Sequence, residues 1–114
     1  MNDIAKLNDR FRHQLGMPVF ENIIPGKVYM SAGIAALPPE MQICIWAEVR
    51  NFDQFTADND PYGEHDFGAF DYPGAGRIFW KIDYYAPDMK RGSENPADIS
   101  QTVRVLTIML ACEY

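Results

Sequence analysis

Apolar residues recur at three- and four-residue steps over the first fifteen positions, at Ile4, Leu7, Phe11 and Leu15, with Lys6, Asn8, Arg10 and Arg12 between them. That period predicts an amphipathic surface helix, ended by Gly16 as a left-handed cap and by Pro18. Residues 17–25 read as a connecting loop. Pro25-Gly26 is a turn signal, and Lys27 to Ala32 alternates as a strand with Val28, Met30 and Ala32 on one side. Pro38-Pro39-Glu40 opens a second helix, since proline suits the first turn and a carboxylate there complements the helix dipole. From Pro38 to Phe55 the stripe Met41, Ile45, Val49, Phe52 is widened by Cys44, Trp46 and Phe55, which predicts a mostly buried helix.

Thr56 to Asp66 has no apolar period. The runs Asp66–Tyr72 and Arg77–Tyr85 are aromatic-rich and flank Pro73-Gly74-Ala75-Gly76, which predicts a hairpin. In its second strand Ile78, Trp80, Ile82 and Tyr84 share a core face, while Arg77, Phe79, Lys81, Asp83 and Tyr85 share a half-polar one. After a loop at 86–97, Asp98 with Gln101 three residues on reads as a capping box. The stripes Ile99, Val103, Leu106, Leu110 and Val105, Met109, Cys112 then predict a last helix that is apolar nearly all round, with Arg104 its only charge. Such a helix is central in the fold or docks on something, a homodimer included. The expected order is helix, strand, helix, strand, strand, helix. That is an α+β domain over residues 1–114, with a small, mainly antiparallel three-stranded sheet covered by helices.

Composition bounds the class. A chain of 114 residues with 47% hydrophobic and 13% aromatic content has enough apolar material for one packed domain. The opening residues do not form a leader, and no run of about 18 apolar residues could span a bilayer, so a soluble cytoplasmic protein is expected. Cys44 and Cys112 have no metal spacing and fall in apolar patterns, which predicts buried thiols rather than a disulfide.

The charge changes the picture more. Sixteen acidic residues face ten basic ones, a net charge of −6, and this argues against direct binding to a phosphate backbone. The excess is local: between Asn51 and Gly76 there is no Lys or Arg, while Asp53, Asp58, Asp60, Glu64, Asp66 and Asp71 are all acidic. Such a block stays solvated as turn residues, holds a cation, or meets a basic partner. Asp58-Asn59-Asp60-Pro61-Tyr62-Gly63 starts like a calcium loop, but Tyr62 replaces an oxygen ligand and Ala69 stands where a bidentate Glu belongs. With His65 added, the alternative metal set is Asp58, Asp60, Glu64, His65 and Asp66. For a partner, Tyr62 and Phe67 would supply aromatic anchors beside the carboxylates.

Catalytic signals are sparse. His13 lies on the polar side of the first helix. Asp66 cannot readily orient His65 if both are in a strand, because neighbours point to opposite faces. Lys81 and Asp83 read as a salt bridge. There is no nucleophile elbow, phosphate loop, dinucleotide fingerprint or HExxH, so no cofactor is expected.

The run F-T-A-D-N-D-P-Y-G-E-H-D-F-G-A-F (Phe55 to Phe70), with I-F-W-K-I-D-Y-Y (Ile78 to Tyr85), G-S-E-N-P-A-D (Gly92 to Asp98) and R-V-L-T-I-M-L-A-C-E-Y (Arg104 to Tyr114), resembles the DUF3768 family of short bacterial proteins. The resemblance extends weakly to I-A-K-L-N-D-R-F-R and S-A-G-I-A-A-L. It implies an accessory protein of alphaproteobacteria carried with plasmid or other mobile-element genes, and supplies no catalytic residue. In that setting small acidic proteins often inhibit host defence, as anti-CRISPR or antirestriction proteins do. The leading expectation is therefore a non-catalytic binding protein that meets the basic surface of a nucleic-acid-handling or defence protein. Asp58, Asp60, Tyr62, Glu64, Asp66, Phe67 and Asp71 are its expected contacts. The alternative is a metal-dependent hydrolase built on Asp58, Asp60, Glu64, His65 and Asp66, with metal-bound water as nucleophile.

Overall fold

A computed structural model describes residues 2–16 and 23–114, so most of the loop expected at 17–25 lies outside the described residues. In chain order the elements are α1 (Asp3–His13), β1 (Gly26–Met30), α2 (Ala32–Ala35), α3 (Pro39–Asn51), β2 (Phe67–Tyr72), β3 (Gly76–Tyr85) and β4 (Val103–Leu110), followed by a 3-10 turn at Ala111–Glu113. The domain is α+β, and the sheet is four-stranded and mixed, in the order β1-β4-β3-β2. β2 and β3 form the expected antiparallel hairpin, β3 pairs antiparallel with β4, and β4 pairs parallel with β1.

The expected last helix is strand β4, and this adds the fourth strand. The apolar pattern was real but its period is two. Arg104, Leu106 and Ile108 point inward and are fully buried, while Val105 and Met109 on the other face are nearly so. A central strand covered on both faces reads as a continuous apolar run and mimics an all-round apolar helix. The β-branched residues Val103, Val105, Thr107 and Ile108 favour the strand. The Asp98–Gln101 signal is a turn rather than a cap: the Asp98 carboxylate accepts from the Ser100 amide at 2.9 Å and from Gln101 Nε2 at 2.8 Å.

Three further details depart from the sequence reading. Ser31 leaves the strand and caps α2, its hydroxyl accepting from the Ile34 amide at 3.3 Å. Helix α3 buries Ile45 and Val49 fully but turns Ile43 and Cys44 outward. Both cysteines are exposed free thiols, not buried ones.

Helix α1 starts at Asn2, whose side chain accepts from the Ala5 amide at 2.7 Å, with Asp3 in the first turn and Arg10, Arg12 and His13 in the last. Its inner face carries Ala5, Asn8, Phe11 and Arg12, so two residues expected on the polar side point into the protein. Phe11 and Leu15, with Ile34, Ile45 and Val49, pack on one face of the sheet against Ile78, Trp80, Ile82, Leu106 and Ile108. Gly68 lies directly under Trp80: a Cβ there would sit 2.3 Å from Trp80 Nε1. Among the described residues no helix is long and apolar enough to cross a membrane.

Candidate functional site

The stretch after α3 folds as a chain of turns braced from within. The Thr56 amide donates to Asn59 Oδ1 at 2.8 Å, and Asn59 Nδ2 donates to the Gln54 carbonyl at 2.8 Å. Asp60 Oδ1 accepts from the amides of Glu64 (3.1 Å) and His65 (3.2 Å). Its side chain is only 6% exposed, so this carboxylate is occupied holding backbone. Gly63 and His65 both take positive φ, 64° and 57°, which turns the chain sharply around Asp60.

Helix α1 grips the inside of the loop. Asn2 Nδ2 donates to the Gly63 carbonyl and Asn8 Nδ2 to the Glu64 carbonyl, each at 3.0 Å. His65 Nδ1 meets Asp9 Oδ1 at 2.9 Å while its ring stacks on Phe55, with centroids 3.9 Å apart. Asp9 also takes a 2.8 Å bond from Arg12. Arg12 is buried, donates to the carbonyls of Val49 (2.8 Å) and Phe52 (3.0 Å), and lies over the Trp80 ring. Burial pulls the Arg12 guanidinium below its usual value, and Asp9 opposes that shift.

A second inward chain starts at Glu64. The Tyr84 hydroxyl donates to Glu64 Oε2 at 3.3 Å and accepts from Asn8 Nδ2 at 2.8 Å. Arg104 Nε donates to Asn8 Oδ1 at 2.6 Å, and a terminal nitrogen of Arg104 donates to the Pro96 carbonyl at 2.7 Å. Burial pushes the Tyr84 phenol far up, so it remains a donor. Burial also raises the Asp66 carboxyl, with Glu64 and Asp60 adding to the effect.

The Asp66 shift has a checkable consequence. The folded chain holds that proton more tightly than the unfolded chain does. Its stabilising contribution is therefore complete below the unfolded aspartate value and is lost as pH rises through the higher, folded one. Urea unfolding from acid toward neutral pH should show this component as stability falling with rising pH, and Asp66→Asn should remove it. An identical slope in that variant would clear Asp66 as the source.

The expected site residues thus separate. Asp60, Glu64, His65 and Asp66 are turned partly or wholly inward. Asp58 is exposed, and Tyr62 is 84% exposed at the turn. Asp71 is exposed beside Arg77 at 3.4 Å, at the far end of β2. Phe67 lies at the start of β2, tilted against the Phe79 ring and edge-on to Tyr114. The alternative ligand set is not gathered: among the described residues no group of three or more His, Cys, Asp or Glu side chains is placed to hold a metal ion. Asp60 in particular spends Oδ1 on backbone amides.

Asp9, Arg12, Asn8 and Arg104 join this region without any motif that marks them in the sequence. The signal for Asn8 and Arg12 was present, since Ala5, Asn8, Arg12 and Leu15 follow the same three- and four-residue steps as the apolar stripe. Asp9 orients His65 from α1, a pairing across 56 positions that local sequence cannot show.

A family model described as a protein of unknown function, DUF3768, matches residues 30–113. No curated protein and no solved structure matches the chain.

Proposed function

The chain belongs to the DUF3768 family, and from that premise and the loop geometry we propose that it is a non-catalytic binding protein that meets a basic protein surface. The observation that carries this reading is the division of the acidic stretch. Asp60 and Glu64 brace the loop from inside, whereas Asp58 and Tyr62 face solvent on a framework they do not hold together. A braced loop loses little conformational freedom on binding. An exposed tyrosine beside carboxylates suits the centre of an interface with a cationic partner.

The natural target is a groove that binds nucleic acid, because such a groove presents excess positive charge. Occupying it would inhibit a nucleic-acid-handling or defence protein by steric and electrostatic blockade. The hydrolase alternative draws no support from the arrangement of Asp58, Asp60, Glu64, His65 and Asp66.

Capture of bacterial proteins on the immobilised chain at about 50 mM and about 500 mM salt tests the electrostatic part. A basic, nucleic-acid-binding protein retained only at the lower salt is expected. Retention that ignores salt would contradict charge-driven recognition.

A further inference from the structure

Strand β2 is an outer strand of the sheet and pairs with β3 alone. We infer that its free edge takes up an extended, cationic segment of the partner as a further strand. This rests on the reading of the partner as basic, and it names the form in which that partner presents its charge.

The backbone is the first observation. The Asp66 carbonyl accepts from the Ile82 amide at 2.8 Å, which sets the phase of the β2–β3 ladder. Bonded residues alternate in an antiparallel pair, so Gly68, Phe70 and Tyr72 bond to β3. The amides and carbonyls of Phe67, Ala69 and Asp71 then point away from the sheet. Among the described residues no hydrogen bond reaches them. Such a row is a template for another strand. Natural edges are commonly closed by lysine, proline or a bulge, and F-G-A-F-D-Y, in unbroken register with β3, has none of these.

The side chains are the second. Phe67, Ala69 and Asp71 lie on the face away from the helices, while Phe70 and Tyr72 are half-buried on the helix side. A segment that alternates cationic with apolar residues matches both rows. Its Lys or Arg heads reach Asp71 while their stems lie along Phe67 and Ala69, and its apolar residues pack beside Phe70 and Tyr72.

Charge chooses the occupant. On the adjoining strand β3, Arg77 already meets Asp71 at 3.4 Å and Lys81 meets Asp83 at 2.9 Å. Asp71 is 76% exposed, and so open a pair is exchanged at little cost. Just before β2, Glu64 and Asp66 enter no ion pair among the described residues. At the other end the Tyr72 phenol is raised by its bond to the Cys44 thiol and also by the Glu48 carboxylate, so a further acidic group flanks the strand. A second copy added β2 to β2 would bring two acidic stretches together, and a nucleic acid would meet the same repulsion. The other outer strand, β1, carries Lys27, which disfavours a cationic chain.

A nine-residue peptide of alternating lysine and valine covers Phe67 to Asp71, about 13 Å of strand, and serves as the probe. Added to the full chain at about 50 mM salt, it should bind. The amides of Phe67, Ala69 and Asp71 should gain at least about tenfold protection from hydrogen exchange, while those of Gly68, Phe70 and Tyr72 change little. The same peptide with every amide N-methylated keeps its charge, loses its donors, and should bind at least about tenfold more weakly. Ala69→Pro removes an amide that the ladder does not use, and should weaken the unmodified peptide by a similar factor at an unchanged thermal midpoint. A peptide that does not bind, that binds without protecting these amides, or that binds equally well when methylated overturns the inference. So does protection that grows with protein concentration and needs no peptide, since the occupant is then a second copy. The low-salt capture reads the functional proposal separately: a basic protein still retained while β2 stays unprotected sinks the edge alone.

Discussion

Replacing Arg12 with alanine should destabilise the fold by about 3–5 kcal/mol, read as a lowered midpoint in urea unfolding. Its guanidinium is buried between α1, the end of α3 and the sheet. Arg12→Ala takes the charged donor from the buried Val49 carbonyl, which keeps only the long 3.4 Å bond from the Phe52 amide, and from the half-buried Phe52 carbonyl; a buried acceptor left unpaired costs about 1–3 kcal/mol. It also empties the space beside the Trp80 and Phe55 rings and leaves the Asp9 carboxylate facing His65 alone. Asp9→Asn should cost clearly less, because the Asp9 side chain is 21% exposed and Arg12 keeps both carbonyls. The reverse order would mean that Asp9, not Arg12, is the centre of this cluster.

Trp80→Ala should have a comparable effect, about 3–5 kcal/mol by the same measurement. Trp80 is fully buried, edge-on to Phe52 (5.6 Å) and Phe55 (6.2 Å), and roofs the β2 backbone at Gly68. Gly68→Val should be destabilising in the wild-type chain, since its Cβ would overlap the indole ring. In the Trp80→Ala background the same change should cost less, because the obstructing ring is gone. Additive effects would show that the two residues do not share that space.

Periodicity made α1, α3 and the β2–β3 hairpin legible, because each buries one face and leaves the other wet. It misled at β4 for the opposite reason: a strand apolar on both sides, with Arg104 as its single charge, carries no alternation to read. The parallel β1–β4 pairing joins residues nearly eighty positions apart, Lys27 with Val105 among them, and no local pattern encodes that partner. In the acidic stretch, composition located the loop but not the direction of its side chains. Asp58 and Asp60 look equivalent in sequence, yet Asp60 is wrapped by the Glu64 and His65 amides and Asp58 is not. The difference depends on the positive φ values at Gly63 and His65 and on Asn2 and Asn8 reaching across from α1.

That distinction is the centre of the account, and one paired measurement tests it: retention of the low-salt basic partner alongside the thermal midpoint, for Asp58→Asn/Tyr62→Ala and for Asp60→Ala. The first variant should lose at least about tenfold in retention at an unchanged midpoint, since neither side chain braces the loop. The second should lower the midpoint, having left two amides without their acceptor. Full retention by the Asp58→Asn/Tyr62→Ala variant would contradict recognition through the exposed side of the loop.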